Sequence, residues 1–210
     1  MSTSRQSDSK PIVAGIDVGG DRKGFHAVAL NDGRFIDKKT DCDPDQIVEW
    51  CLHNEASVVA VDAPCHWSQK GASRLAERRL AEKKICCFAT PTRERAEGRN
   101  FYRWMFNGER LYRALASEYQ LFDGTSTSGP TCFETFPHAI MCSFNGKPII
   151  GGRKVATRRS ALASRGYDVS KLTNIDFVDA ALCAVTAEKF RAGQYATYGD
   201  CEDGIIVVPA

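Results

Sequence analysis

Apolar positions recur along this chain in two rhythms, and the points where the rhythm breaks mark its elements. Residues 12–16 form an apolar run that ends at Asp17 and the Gly19-Gly20 pair, which predicts a buried strand followed by a turn. Residues 24–30 alternate well enough for a second strand. Asn31-Asp32-Gly33 supplies hairpin chemistry, and residues 34–38 return as a third strand. A further apolar run over 57–61 ends in Asp62, residues 131–135 form a short strand containing Glu134, and residues 204–208 close the chain as a strand.

Helical spacing fills the intervals. Over 43–54, Asp43 can cap, Pro44 suits the first turn, and Ile47, Val48, Cys51 and Leu52 share a stripe. Residues 72–84 read as a charged helix with Leu75, Ala76, Leu80 and Ala81 inward. The segment 97–119 is rich in aromatic and basic residues, with a helix expected from Glu109 onward. Pro137 opens a short helix, 146–152 is irregular, and 154–165 is a basic helix. Residues 176–191 form an amphipathic helix with Val178, Leu182 and Val185 on one face. Hairpins first and βα alternation afterwards are the pattern of a mixed α/β sheet. No repeat or linker divides the chain, so a single domain over 11–210 is expected behind a mobile polar tail at 1–10.

Composition narrows this modestly. The chain has 210 residues, 43% of them apolar, with 28 Lys plus Arg against 26 Asp plus Glu. That length can bury a substantial core, and the balance excludes a uniformly basic nucleic-acid coat. No apolar run approaches the length of a bilayer span, and residues 1–10 have no apolar core resembling a signal peptide. Nine cysteines, an odd number without C-x-x-C spacing, read as reduced thiols of a cytoplasmic protein rather than a disulfide framework.

The placement of acids changes the picture more. Asp17 and Asp62 each end a buried run, and Glu134 nearly does so. If those strands are parallel, their carboxyl ends share the sheet edge where open α/β folds place ligands. Converging carboxylates repel and need a proton or a cation to coexist, and oxygen donors with few histidines favour Mg²⁺ or Mn²⁺ over zinc. Asp176 and Asp179, three apart on the last long helix, can face the same site. Each acid also has a plainer reading: Asp17 and Asp62 as turn residues, Asp176 as a helix cap or dipole partner.

Several of these segments resemble a known family. They are Gly15-Ile16-Asp17-Val18-Gly19-Gly20 with Gly24-Phe25-His26, Val61-Asp62-Ala63-Pro64, the run from Phe101 through Arg103 and Trp104 to Gly108, Glu134-Thr135-Phe136-Pro137-His138, and Asp176-Phe177-Val178-Asp179-Ala180-Ala181-Leu182. In that order they resemble domain-of-unknown-function family 429, predicted RNase H-like nucleases. The resemblance implies an RNase H-like mixed five-stranded sheet flanked by helices, here with an inserted aromatic and basic segment. It is also similar to the Holliday-junction resolvases in its acidic motifs. By that likeness Asp17, Asp62 and Asp179, with Asp176 beside them, occupy metal-binding positions. Glu134 matches an acidic position of the predicted nucleases but not a core RNase H ligand. Asp17, Asp62, Glu134 and Asp179 are thus the candidate catalytic residues of a two-metal phosphodiester hydrolase, with 5′-phosphate and 3′-hydroxyl products implied.

A nuclease must also hold phosphates. Residues 93–113 carry six arginines among aromatics, and 153–171 carry six basic residues and one acid. Arg103, Lys154, Arg158 and Arg159 are the candidate substrate-binding residues for DNA or RNA, against the plainer reading of a solvated helix face and an aromatic core lobe. His138 and Cys142, four apart, lack a second ligand pair for zinc. Cys65-His66 carries no thiol-nucleophile signature, and His26 reads as packing. Two other functions remain open: a catalytically silent module that binds nucleic acid or a protein partner, and an actin-like sugar kinase or ATPase relative suggested by Asp17-Val18-Gly19-Gly20. The kinase would need a second lobe and a second glycine-rich loop. No membrane contact is expected, and homodimerisation is left open.

Overall fold

The computed structural model describes residues 11–125, 128–149 and 154–210. The tail expected at 1–10, the irregular stretch at 150–152 and Arg153 lie outside them. Three strands open the chain: β1 (Val13–Val18), β2 (Phe25–Asn31) and β3 (Arg34–Asp41). β1–β2 and β2–β3 are antiparallel, and the second turn holds Asp32 and Gly33 at positive φ, as the Asn-Asp-Gly signal requires. Helix α1 (Pro44–His53) follows, with the Asp43 side chain accepting from the Asp45 N–H at its start. Next come β4 (Val58–Asp62), α2 (Leu75–Glu82), the single turn α3 (Arg93–Ala96), α4 (Arg103–Leu115), β5 (Gln120–Leu121), β6 (Thr131–Glu134), α5 (Pro137–Asn145), α6 (Lys154–Ala163), α7 (Ile175–Arg191), β7 (Tyr195–Asp200) and β8 (Gly204–Pro209).

The strands form one mixed sheet in the order β3-β2-β1-β4-β6-β8-β7, with β5 paired to β6 off that path. β1, β4, β6 and β8 run parallel in its centre. This confirms the mixed α/β class, but eight strands are present among the described residues rather than five. The two that the apolar pattern leaves out carry weak signals. β7 is a partly exposed edge strand of sequence Tyr-Ala-Thr-Tyr-Gly-Asp, and β5 has only two residues.

Both faces of the sheet are covered. Val13, Val28, Val58, Ala60, Phe133 and Val207 pack against the buried length of α7, which explains why that helix is apolar nearly all round. Ala14, Ile16, Ala27, Val59 and Val61 face the other way, toward α1 and α4. The strict alternation of strands therefore decides which side every strand-end acid takes. Helix α4 begins at Arg103, six residues before the expected start, and buries Met105, Gly108, Leu111, Tyr112 and Leu115. No described helix is long and apolar enough to cross a membrane.

The sheet and α7 meet most closely at Gly15. A Cβ there would lie 2.1 Å from both the Ala180 carbonyl oxygen and the Ala184 nitrogen, and backbone cannot step aside as a side chain can. Gly15→Ala is therefore expected to destabilise the fold by about 3 kcal/mol or more, at or above the usual range for overpacking. Urea unfolding of the variant tests this, and an unchanged midpoint would contradict the packing described.

Candidate active site

The register of two parallel strands builds the site. Asp17 pairs directly with Asp62 at the carboxyl ends of β1 and β4. Counting from Val13 and Val58, both acids fall on the α7 side of the sheet. Helix α7 arrives over them with Asp179 in its second turn. Asp17 and Asp179 are each only 9% exposed.

Three acids so enclosed, Asp17 and Asp179 buried and Asp62 half-buried, cannot all stay ionised unaided. Two unit charges 4 Å apart repel by about 4 kcal/mol even at an effective dielectric near 20. The structure answers in two ways. Asp17 and Asp62 share a side-chain hydrogen bond. Burial first, and then the charges of its acidic neighbours, push the Asp17 carboxyl up to about 7. Burial and the Asp17 charge drive Asp62 well above the carboxylate range, so the pair retains a proton between them. Asp179 is raised chiefly by burial but opposed by Arg158, whose guanidinium from α6 donates directly to its Oδ1. Asp176 lies one turn earlier. There Lys23 Nζ meets its Oδ1 at 2.5 Å, and His26 Nε2 lies 3.9 Å from its Oδ2. Asp176 is not the helix cap, because Asn174 takes that position and accepts from the Phe177 N–H.

Glu134 stands apart from this group. It pairs with Val61 rather than Asp62, so it projects from the opposite face of the sheet. Its two oxygens accept from the Arg74 guanidinium at 2.6 and 2.7 Å, and one also accepts from the Cys65 N–H at 2.9 Å. Arg74 is 1% exposed and also binds Glu77, which in turn accepts from the backbone N–H groups of Arg74 and Thr90. Removing either partner would strand a buried charge.

The basic candidates divide. Lys154 and Arg158 line a cavity with Asp62 and Asp179. Arg159 is instead committed to the carbonyls of Val169 and Leu172, and Arg103 pairs with Asp21 at 2.5 Å on the exposed surface, a contact of little energetic weight. His26 packs edge-on against Phe177. The Cys65 thiol is pushed well up by burial, the reverse of an activated nucleophile. His138 Nε2 lies 3.8 Å from Cys142 Sγ, and no third metal-ligating side chain joins them among the described residues.

Residue-by-residue reading of the chain missed the clamp on these loops. Asn107 Nδ2 donates to the Gly19 carbonyl at 2.9 Å, just beyond Asp17. One turn on, Tyr112 donates to the Ala63 carbonyl at 3.2 Å, just beyond Asp62. Gly108 lets α4 sit against Ala63, where an added Cβ would lie 2.6 Å from the Ala63 Cβ. The Asn-Gly pair on the buried face of α4 was the available signal.

Among the described residues, no group of three or more His, Cys, Asp and Glu side chains is gathered tightly enough to cage a metal ion as it stands. In chemistry the set does suit a hard divalent cation: all-oxygen donors, short of positive charge, with one proton and Arg158 covering the deficit. A cation there would replace that proton and compete with Arg158 for Asp179.

Fold and site thus define a mixed α/β protein with a carboxylate cluster at the carboxyl edge of its central parallel strands. Residues 15–203 match the family described as "Protein of unknown function (DUF429)", and the chain belongs to that family. No curated protein and no solved structure gave a match.

The raised carboxyls have a measurable consequence. Asp17 binds its proton more tightly folded than unfolded, so its contribution to stability is full below about pH 4 and is lost as pH rises toward 7. Asp17→Asn removes that dependence. With divalent ions chelated, the variant should gain on the parent between pH 4 and 8, by a few kcal/mol at most. Urea midpoints across that range check this, and a difference that does not change with pH would contradict it.

Proposed function

We propose that this protein is a divalent-metal-dependent phosphodiester hydrolase acting on nucleic acid, built on an RNase H-like core. One observation carries the reading: Asp17 and Asp62 lie side by side at the ends of adjacent parallel strands, beneath Asp179. The path β3-β2-β1-β4-β6 supports the core assignment, since a hairpin followed by parallel strands is what the resemblance implies. β8 and β7 extend that core.

Asp17, Asp62 and Asp179 would hold Mg²⁺ or Mn²⁺, with Asp176 beside them. A bound divalent cation supplies an acidified water and neutralises charge on the reacting phosphate. The chain supplies the rest. Lys154, exposed at the rim, and Arg158, at the floor beside Asp179, present cationic donors to a phosphate. Arg158 can exchange Asp179 for a phosphate oxygen. Glu134 serves through Arg74 and the Cys65 N–H, fixing the loop that follows Asp62, and Asn107 holds the loop that follows Asp17.

The pairing of Arg158 with Asp179 also favours a second reading, a silent nucleic-acid-binding module in which the arginine takes the cation's place for good. Labelled DNA and RNA in single-stranded, duplex and branched form, incubated with Mg²⁺ or Mn²⁺, separate the two. The hydrolase should cleave, leaving 5′-phosphates, and lose about 100-fold or more in Asp17→Asn and Asp62→Asn. Cleavage without divalent ions, or unchanged in both variants, would refute the mechanism. Binding without any cleavage would leave the silent module standing.

A further inference from the structure

Beside the carboxylates the surface opens into a cavity of about 370 Å³, within the range of roughly 300–1,000 Å³ typical of small-ligand sites. Its wall combines the charged groups of Asp62, Asp179, Lys154 and Arg158 with the rings of Phe88, Trp104 and Phe136. Phe88 is 61% exposed, an unusual condition for a phenylalanine. Its ring lies 6.4 Å from that of Trp104 and 5.4 Å from that of Phe101. Phe101 is itself 54% exposed, so the aromatic surface continues out of the cavity.

We propose that this cavity is a base-binding subsite for single-stranded nucleic acid. An unpaired base lies against Phe88 and Trp104, and its phosphate falls at Lys154 and Arg158 beside the acids. Aromatic faces accept any base, whereas a paired base is held in its stack and cannot enter without the cost of unstacking. The exposed ring of Phe101 extends the platform past one nucleotide, which favours a strand over a free mononucleotide. This inference deepens the hydrolase reading and rests on it for the placement of the phosphate.

Binding measured in chelator, where no cleavage can occur, tests it separately. The probes are a labelled oligonucleotide of about 12 residues, matched to the usual span of single-strand sites, the same strand as a duplex, and a mononucleotide competitor. The parent should prefer the single strand. Phe88→Ala and Trp104→Ala should each weaken that binding by about ten-fold, and Phe88→Trp should retain it. Phe88 is exposed, so its replacement spares the fold, which circular dichroism confirms. Lys154→Ala should lower the salt dependence of binding. Equal affinity for duplex and strand, a mononucleotide that binds as tightly as the strand, or no effect in either alanine variant would overturn the subsite. Cleavage with unaltered binding in these variants would remove the subsite and leave the hydrolase. Strand binding that depends on Phe88, without any metal-dependent cleavage, would do the reverse.

Discussion

Parallel pairing of Val13–Val18 with Val58–Asp62 sets Asp17 against Asp62, residue for residue, and the alternation of both strands turns the two acids toward the same helix. That helix brings Asp179 over them. The acids are buried because the sheet must cover its apolar residues on this face, and α7 can approach only because position 15 has no side chain. The charge arrangement follows from that geometry. A shared proton and a borrowed guanidinium are what the protein itself provides where negative charge is concentrated away from water.

The surrounding elements serve that edge. Helix α4 ties both loops that leave the acidic strands, through Asn107 to Gly19 and through Tyr112 to Ala63. On the opposite face, Glu134 and Glu77 enclose Arg74 in a buried network that reaches Cys65 and Thr90. Such a network specifies position more than it adds stability. It fixes the floor of the cavity in which Lys154 and Arg158 face the carboxylates.

Much of this was legible before any coordinates. The apolar runs located β1 and β4 because buried parallel strands are apolar throughout, and the acids ending them were conspicuous for that reason. Asp43 and Pro44 marked the start of α1 because caps act locally. Other features depended on distance. Glu134 looked equivalent to Asp17 and Asp62, yet its face depends on its register against Val61, which no local pattern reveals. Arg159 looked like a phosphate ligand on a basic helix but turns back to two carbonyls of the next loop. The start of α4 was hidden because it has no side-chain cap and opens with aromatic residues that are indifferent helix formers. β7 escaped notice as a partly exposed edge strand, visible only once β8 is there to pair with it.

The proposed function stands or falls on whether the acidic cluster takes up a divalent cation in exchange for its proton. Calorimetric titration with Mn²⁺ near neutral pH, repeated in buffers of differing ionisation enthalpy, measures both binding and the proton that a cation displaces. The parent should bind Mn²⁺ with release of up to about one proton, and Asp62→Asn should lose both signals. No binding by the folded parent, or binding undiminished in the variant, would contradict the account.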